Sequence, residues 1–170
     1  ILLLNMSYNE TDTRHDEILA VAKAMMAAAR TAPKGKGVDN LEIITITGAK
    51  KQKLADEMRS YAERVGFKFF LRDAGNVEQA EAVVILGTRI AVFSLNCGFC
   101  GFDTCTAKMD HPAIPCALNS GDLGIAIGSA ASIAADRRVD SRIMYSVGRA
   151  ALDLGYLKDC ASAYGIVLSC

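Results

Sequence analysis

The sequence has 170 residues, about the length of one domain, and its 19 basic and 19 acidic residues give a formal net charge of zero. With 51% hydrophobic and 22% charged residues, the composition argues against a disordered chain. The absence of a basic excess argues against nucleic-acid and anionic-membrane partners, and no apolar run is long enough to form a membrane-spanning helix.

The chain begins with the apolar run Ile1–Leu4. This run is too short for a signal peptide and has no basic residues before it, so we expect a cytoplasmic protein. Because the first residue is not methionine and no end signal is visible at Cys170, we also expect the gene product to extend beyond both ends.

Two helices and one strand are predicted in the first half of the chain. Residues 15–30 carry apolar side chains at helical spacing, and Thr13 with Asp16 forms a partial capping box before them. Residues 41–47 are a predicted strand, and because its isoleucines do not alternate with polar residues, we expect it at the centre of a sheet. A second helix is predicted over residues 50–65.

The second half is predicted to contain strands over residues 82–86 and 163–169, and helices over residues 120–136 and after Ser141. Helices and strands therefore mix along a single domain, residues 1–170. The predicted fold class is α/β or α+β.

The helix predicted over residues 120–136 is rich in small side chains. Asp122 is expected in its first turn, where the helix dipole favours an acidic group, and Gly124 and Gly128 lie in its interior. Glycine inside a helix costs roughly 1 kcal/mol relative to alanine, so something is expected to approach this helix closely. We expect the helix in a homodimer interface or at the centre of the core.

Between the second strand and this helix, residues 94–119 lose all periodicity and form a predicted cysteine-rich loop. The loop contains four of the six cysteines, Cys97, Cys100, Cys105 and Cys116. A cubane iron–sulfur cluster needs four thiolates, and a pair separated by two residues turns two sulfurs toward one centre. Gly98 and Gly101 permit tight turns with positive φ and let backbone amides face cluster sulfurs.

Three other readings of these cysteines stay open. A structural zinc site usually has two paired cysteine knuckles, and here there is one. Disulfides are rare in cytosolic chains. A thioredoxin-like redox pair follows a strand and opens a helix, which this pair is not predicted to do.

The segment Asn96–Cys105 resembles the [4Fe–4S] motif of the Rnf electron-transport complex B subunit, and is similar to that of the corrinoid iron–sulfur protein large subunit. The first three cysteines have the same spacing. In those families the fourth cysteine usually precedes a proline, whereas here Pro115 comes before Cys116. The resemblance therefore implies Cys97, Cys100 and Cys105 as ligands, with Cys116 fourth and Cys160 or His111 as substitutes.

Nearly the whole chain resembles a bacterial and archaeal family of uncharacterised proteins "containing a ferredoxin domain". The matching stretches, besides the cysteine block, are residues 27–37, 122–130 and 142–146. This resemblance implies an iron–sulfur cofactor and carries no established reaction.

A further resemblance is to the nitroreductase fold, in which an Ala-Arg-x-Ala-Pro turn follows the first long helix. Residues 30–36 resemble that turn, and the helix at Asp122 resembles the subunit-interface helix. The resemblance implies a nitroreductase-like sheet flanked by helices, with the cysteine loop inserted, and FMN as a cofactor. The family's N-terminal arginine clamp is missing, Lys34 replaces a serine, and no basic C-terminal tail is present in this chain.

The turn at Lys34-Gly35-Lys36-Gly37 can cradle a phosphate through amides and two ammonium groups, although it can also be a solvated helix-ending turn. Four residues are candidate flavin contacts: Arg30, Lys34 and Lys36 for the phosphate, and Asn40 for the ring or ribose. Because the N-terminal arginine clamp of the nitroreductase family is missing, flavin is expected to bind weakly at this site.

The sequence contains no serine–histidine–acid set. Whether the protein is an enzyme is left open, and oxidoreductase is the class to test. The functional prediction is an iron–sulfur protein with one [4Fe–4S] cluster, acting in electron transfer or redox sensing with a protein partner. The alternatives are a flavin- and cluster-dependent reductase of the nitroreductase type, and a non-catalytic protein with a structural metal site.

Overall fold

The computed structural model describes residues 7–170, so the apolar run Ile1–Leu4 lies outside the described residues. The described chain forms six α-helices, α1 (Glu10–Thr31), α2 (Gly48–Val65), α3 (Phe69–Gln79), α4 (Cys105–Met109), α5 (Ala117–Asp136) and α6 (Tyr145–Asp153). It also forms four strands, β1 (Leu41–Ile46), β2 (Ala82–Arg89), β3 (Asp140–Met144) and β4 (Cys160–Ser169). Within this part of the chain, no helix is both long and apolar enough to cross a bilayer.

The four strands form one antiparallel sheet in the order β1-β2-β4-β3, with helices on both faces. The central strand β2 shows how the two faces are filled. Val84 and Leu86 pack with α1 and α5, while Val83 and Ile85 pack with α2, α3 and α6. This mixed architecture confirms the predicted fold class.

The expectation that β1 is a central strand is wrong, because β1 lies at an edge of the sheet. Its run of isoleucines has a different cause. Ile43 packs against the core on the α1 and α5 side, and Ile44 packs against the core on the opposite side. Since both faces of this edge strand are covered by helices, apolar residues occur at consecutive positions.

Several helix boundaries also differ from the prediction. Helix α1 begins earlier than expected, and its N-cap is Asn9, whose side chain accepts a hydrogen bond from the Thr11 amide at 3.1 Å. Helix α5 begins at Ala117, so Asp122 lies in its second turn and not in the first. The helix predicted after Ser141 starts later, because residues 140–144 pair with β4 as strand β3.

The small residues of α5 separate into two faces. Ala126, Ala130 and Ala134 are buried against α1 and the sheet. By contrast, a Cβ added at Gly124 or Gly128 would find no atom of the described chain within 4 Å. The close approach expected at these glycines is therefore not made by another helix or strand among residues 7–170.

Candidate metal centre and the adjoining glycine turn

The cysteine loop runs from the end of β2 to the start of α5, and several of its residues have a left-handed backbone conformation. Gly98 and Gly101 have φ of 73° and 85°, and the Gly101 amide donates to the Gly98 carbonyl at 2.9 Å. The predicted glycine turns are therefore present around Cys100. Ser94 and Asn96 also have positive φ, at 54° and 48°, which non-glycine residues rarely adopt.

Asn96 and Cys105 are joined by two reciprocal hydrogen bonds. The Cys105 amide donates to Asn96 Oδ1 at 2.8 Å, and the Asn96 amide donates to Cys105 Sγ at 3.3 Å. Thr104 then caps α4 by accepting a hydrogen bond from the Ala107 amide at 3.2 Å. These contacts hold the two ends of the segment that carries the first three cysteines.

Cys116 is the N-cap residue of α5 and is buried. Burial alone raises the pKa of its thiol, but the nearby backbone N–H groups of Asn119, Phe93 and Leu118 lower it, and the positive charge of Lys108 adds to their effect. The net result is that the pKa of the Cys116 thiol lies below its ordinary value. The surroundings of this sulfur therefore favour the thiolate, which is the form that binds metals.

The two alternative fourth ligands have different surroundings. Cys160 lies in β4, with its sulfur 4.0 Å from the Glu42 carboxylate. Burial and then the charge of Glu42 raise the pKa of this thiol to about 11. His111 lies on the cysteine loop and stacks on Phe102, with ring centroids 5.1 Å apart.

All six cysteines are free thiols. Among residues 7–170, no group of three or more cysteine, histidine or acidic side chains is gathered at metal-binding distances. The donor chemistry nevertheless fits an iron–sulfur cluster, since the loop offers four thiols, two of its glycines have left-handed φ, and the pKa of the Cys116 thiol is lowered by nearby backbone N–H groups.

Two of the candidate flavin contacts are engaged near the end of α1. Arg30 donates to the Asp39 carboxylate at 2.6 Å and to the Leu41 carbonyl at 3.0 Å. The ammonium group of Lys34 donates to the carbonyls of Arg30 and Ala32 at 2.6 and 2.9 Å. Both cations therefore stabilise the connection between α1 and β1 in this structure.

The glycine turn itself contacts the beginning of the cysteine loop. Lys36 donates through Nζ to the Phe93 carbonyl at 3.1 Å, and a Cβ added at Gly35 would lie 2.8 Å from Cε2 of the Phe93 ring. The Gly35 amide donates to both carboxylate oxygens of Asp122, at 3.0 and 2.9 Å. Because the backbone N–H of Phe93 also lowers the pKa of the Cys116 thiol, the glycine turn and the candidate metal centre are neighbours.

Asn119 forms a second connection between the two regions. Its side-chain oxygen accepts hydrogen bonds from Asn40 at 3.2 Å and from Thr88 at 3.3 Å, and its side-chain nitrogen donates to the Arg89 carbonyl at 2.6 Å. Cys116, Asn119 and Asp122 are spaced three residues apart, so they lie along one side of α5.

A sequence profile of the family described as "Uncharacterized protein containing a ferredoxin domain (DUF2148)" matches residues 113–170. An uncharacterised protein of Archaeoglobus fulgidus is 38% identical over 172 residues, which cover 96% of this chain and 92% of that protein. The chain belongs to this ferredoxin-domain family. The matched profile region includes Cys116 and begins after the other three loop cysteines.

The fold of this ferredoxin-domain protein is nitroreductase-like. A nitroreductase with bound FMN from Desulfitobacterium hafniense has a TM-score of 0.60 at 14% identity, covering 97% of this chain and 79% of that chain. A BluB-like flavoprotein from Clostridium difficile has a TM-score of 0.53 at 20% identity, covering 96% and 80%. At these identities the similarity establishes the fold and the predicted sheet flanked by helices.

Three further residues belong to the candidate site: Lys108, Asn119 and Asn96. Lys108 and Asn119 gave no sequence signal, because a lysine is ordinarily exposed and an asparagine near a helix start has many roles. Asn96 directly precedes the first cysteine, and asparagine tolerates left-handed backbone better than most residues, which was a usable signal.

Proposed function

We propose that this protein carries one [4Fe–4S] cluster on Cys97, Cys100, Cys105 and Cys116, and passes single electrons to and from a protein partner in the cytoplasm. The observation that carries the proposal is the environment of Cys116. Cys116 is buried at the start of α5, and nearby backbone N–H groups together with the charge of Lys108 lower the pKa of its thiol by more than burial raises it. Such an environment suits a thiolate ligand of an anionic cluster, whereas an inert buried cysteine is favoured as the neutral thiol.

The choice of Cys116 over Cys160 rests on the contrast between them. The pKa of Cys116 is lowered by hydrogen-bond donors, and that of Cys160 is raised by burial and by a nearby carboxylate. Cys160 also lies in β4 rather than on the cysteine loop. These differences support Cys116 as the fourth ligand.

A protein partner is supported by the surface of the cysteine loop. The loop exposes four large apolar side chains, Leu95, Phe99, Met109 and Ile114. Phe99 lies between Cys97 and Cys100 and is 74% exposed. Exposed apolar surface beside a redox centre is suited to a transient protein contact.

The experiment is a cysteine series in anaerobically prepared protein, followed by visible absorbance and cluster content. Cys97→Ser, Cys100→Ser, Cys105→Ser and Cys116→Ser should each lose the broad brown absorbance of the cluster. Cys160→Ser is the matched control and should retain it. Retention of the cluster in Cys116→Ser, with loss in Cys160→Ser, would overturn the ligand assignment.

A flavin- and cluster-dependent reductase is the second candidate, and the contact between Lys36 and Phe93 favours it. This contact places the glycine turn beside the cysteine loop, so an FMN phosphate on the turn would bring the two cofactors into one region. FMN is present in the nitroreductase of Desulfitobacterium hafniense, which has a similar fold. The engagement of Arg30 and Lys34 by carbonyls and by Asp39 argues for weak flavin binding here.

We also propose a homodimer that uses the open face of α5. A Cβ added at any of its three glycines, Gly121, Gly124 and Gly128, would contact nothing within 4 Å in the described chain. Ile125 on the same helix is 48% exposed. A second copy of this helix can approach such a face closely, which would offset the helix-destabilising effect of the glycines.

A further inference from the structure

Lys108 is a buried lysine inside the cysteine-rich segment. It lies in the short helix α4, and only 1% of its surface is exposed. Lysine is almost never buried to this extent unless it is paired with an opposite charge. Yet none of the ion pairs formed among residues 7–170 includes Lys108.

The position of Lys108 relates it to two of the proposed ligands. It follows Cys105 by one helical turn, and the Lys108 amide donates to the Thr104 carbonyl at 3.2 Å, which fixes the helix at the cysteine. Its positive charge also acts on the Cys116 sulfur.

The buried lysine is therefore close to two proposed ligands: Cys105, one turn before it in α4, and Cys116, on whose sulfur its charge acts. In the cluster-loaded protein, four thiolates would place negative charge in this region. A buried ammonium costs considerable desolvation free energy unless an anion compensates for it. A cluster would provide that anion in the place where the described residues provide no carboxylate.

We propose that Lys108 is a positioning and tuning residue that raises the reduction potential of the cluster, an inference that rests on the proposed function. Reduction adds one electron, and hence one negative charge, to the cluster, and the electron comes from the redox partner. A fixed positive charge nearby stabilises the reduced form more than the oxidised form. Removing the charge should therefore make the potential more negative.

The test is a redox titration of cluster-loaded protein, followed by electron paramagnetic resonance. Lys108→Met keeps the length of the side chain and removes its charge. It should shift the one-electron equilibrium about tenfold toward the oxidised form, which is about 59 mV more negative. Lys108→Arg should restore most of the potential, and Lys68→Met, at an exposed lysine before α3, is the control and should leave it unchanged.

A Lys108→Met potential within the scatter of the Lys68→Met control would overturn the inference. If Lys108→Met retains too little cluster to titrate, Lys108→Gln and Lys108→Arg are compared for iron and sulfide content. Retention in the arginine variant alone supports the requirement for charge, and equal loss in both overturns it. Absence of iron and sulfide from the wild-type protein would overturn the proposed function itself, so the two failures are distinguishable.

Discussion

Replacement of Asp122 by alanine should destabilise the fold, because this carboxylate is the contact that fixes the glycine turn on α5. Asp122 is buried, and both of its oxygens accept from the Gly35 amide, at 3.0 and 2.9 Å. The two residues are 87 positions apart in the chain. Asp122→Ala therefore removes a long-range hydrogen bond and leaves the Gly35 amide without its acceptor.

The size of the effect follows from the charge on the acceptor. A hydrogen bond to a charged group contributes about 1.5–3 kcal/mol. The Gly35 amide is only partly buried, so leaving it unpaired costs less than the about 1–3 kcal/mol of a fully buried donor. We therefore expect Asp122→Ala to lower the free energy of unfolding by about 2 kcal/mol. Asp122→Asn keeps one acceptor oxygen and loses the charge, so it should lower the free energy of unfolding by roughly half as much.

The assay is equilibrium unfolding in urea, with wild type and variants prepared at matched cofactor content. The midpoint should fall while the slope stays constant, since the surface exposed on unfolding does not change. Asp136→Ala is the matched control, because Asp136 is the exposed last residue of the same helix. If the free energies of unfolding of Asp122→Ala and Asp136→Ala differ by less than about 0.5 kcal/mol, the role assigned to Asp122 is wrong.

Three further predictions concern the loop, the dimer and the flavin. Asn96→Ala removes the acceptor of the Cys105 amide and places alanine at a residue with φ of 48°, where alanine is strained. A chelator should therefore bleach the cluster of this variant several-fold faster than that of the wild type. Asn96→Gly relieves the strain but not the lost acceptor, so it should recover only part of the loss, and unchanged bleaching in Asn96→Ala would contradict the assignment. A Cβ added at Gly128 meets nothing within 4 Å in the described chain, so Gly128→Leu should keep normal stability and be monomeric by light scattering. An intact dimer in the variant would argue against the α5 interface. Calorimetric titration of cluster-loaded protein with FMN should show binding weaker than micromolar, and a submicromolar dissociation constant weakened tenfold by Lys34→Ala would instead support the reductase.

The helix and strand types were predictable from local patterns wherever an element is long and periodic. Strand β3 was missed because Asp140–Met144 is short, sits at a sheet edge and exposes most of its side chains. Met144 also continued the helical spacing of Val147, so the strand was merged into the predicted helix α6. Helix α3 was not predicted because it lacks a capping side chain and contains Gly75.

The proposed cysteine ligands follow from their spacing along the chain, but their surroundings could not be predicted from it. The environment of Cys116 depends on Phe93 and Lys108, which approach only after the loop has folded. Asn119 bonds to Asn40, 79 positions away, and no local pattern reports such a pair. Three of the four candidate flavin residues are cations that cluster in the sequence. The partners of Arg30 and Lys34 lie within 11 positions of them, in a turn whose geometry no sequence pattern specifies. Lys36 instead reaches Phe93, 57 positions away.

The central claim is that the four loop cysteines hold a [4Fe–4S] cluster, and metal analysis of anaerobically purified protein tests it most directly. Iron, acid-labile sulfide, zinc and flavin should be measured on the same sample. The account predicts about four iron and four sulfide per chain, with neither in the Cys116→Ser variant. One zinc per chain without sulfide would contradict it and favour a structural metal site.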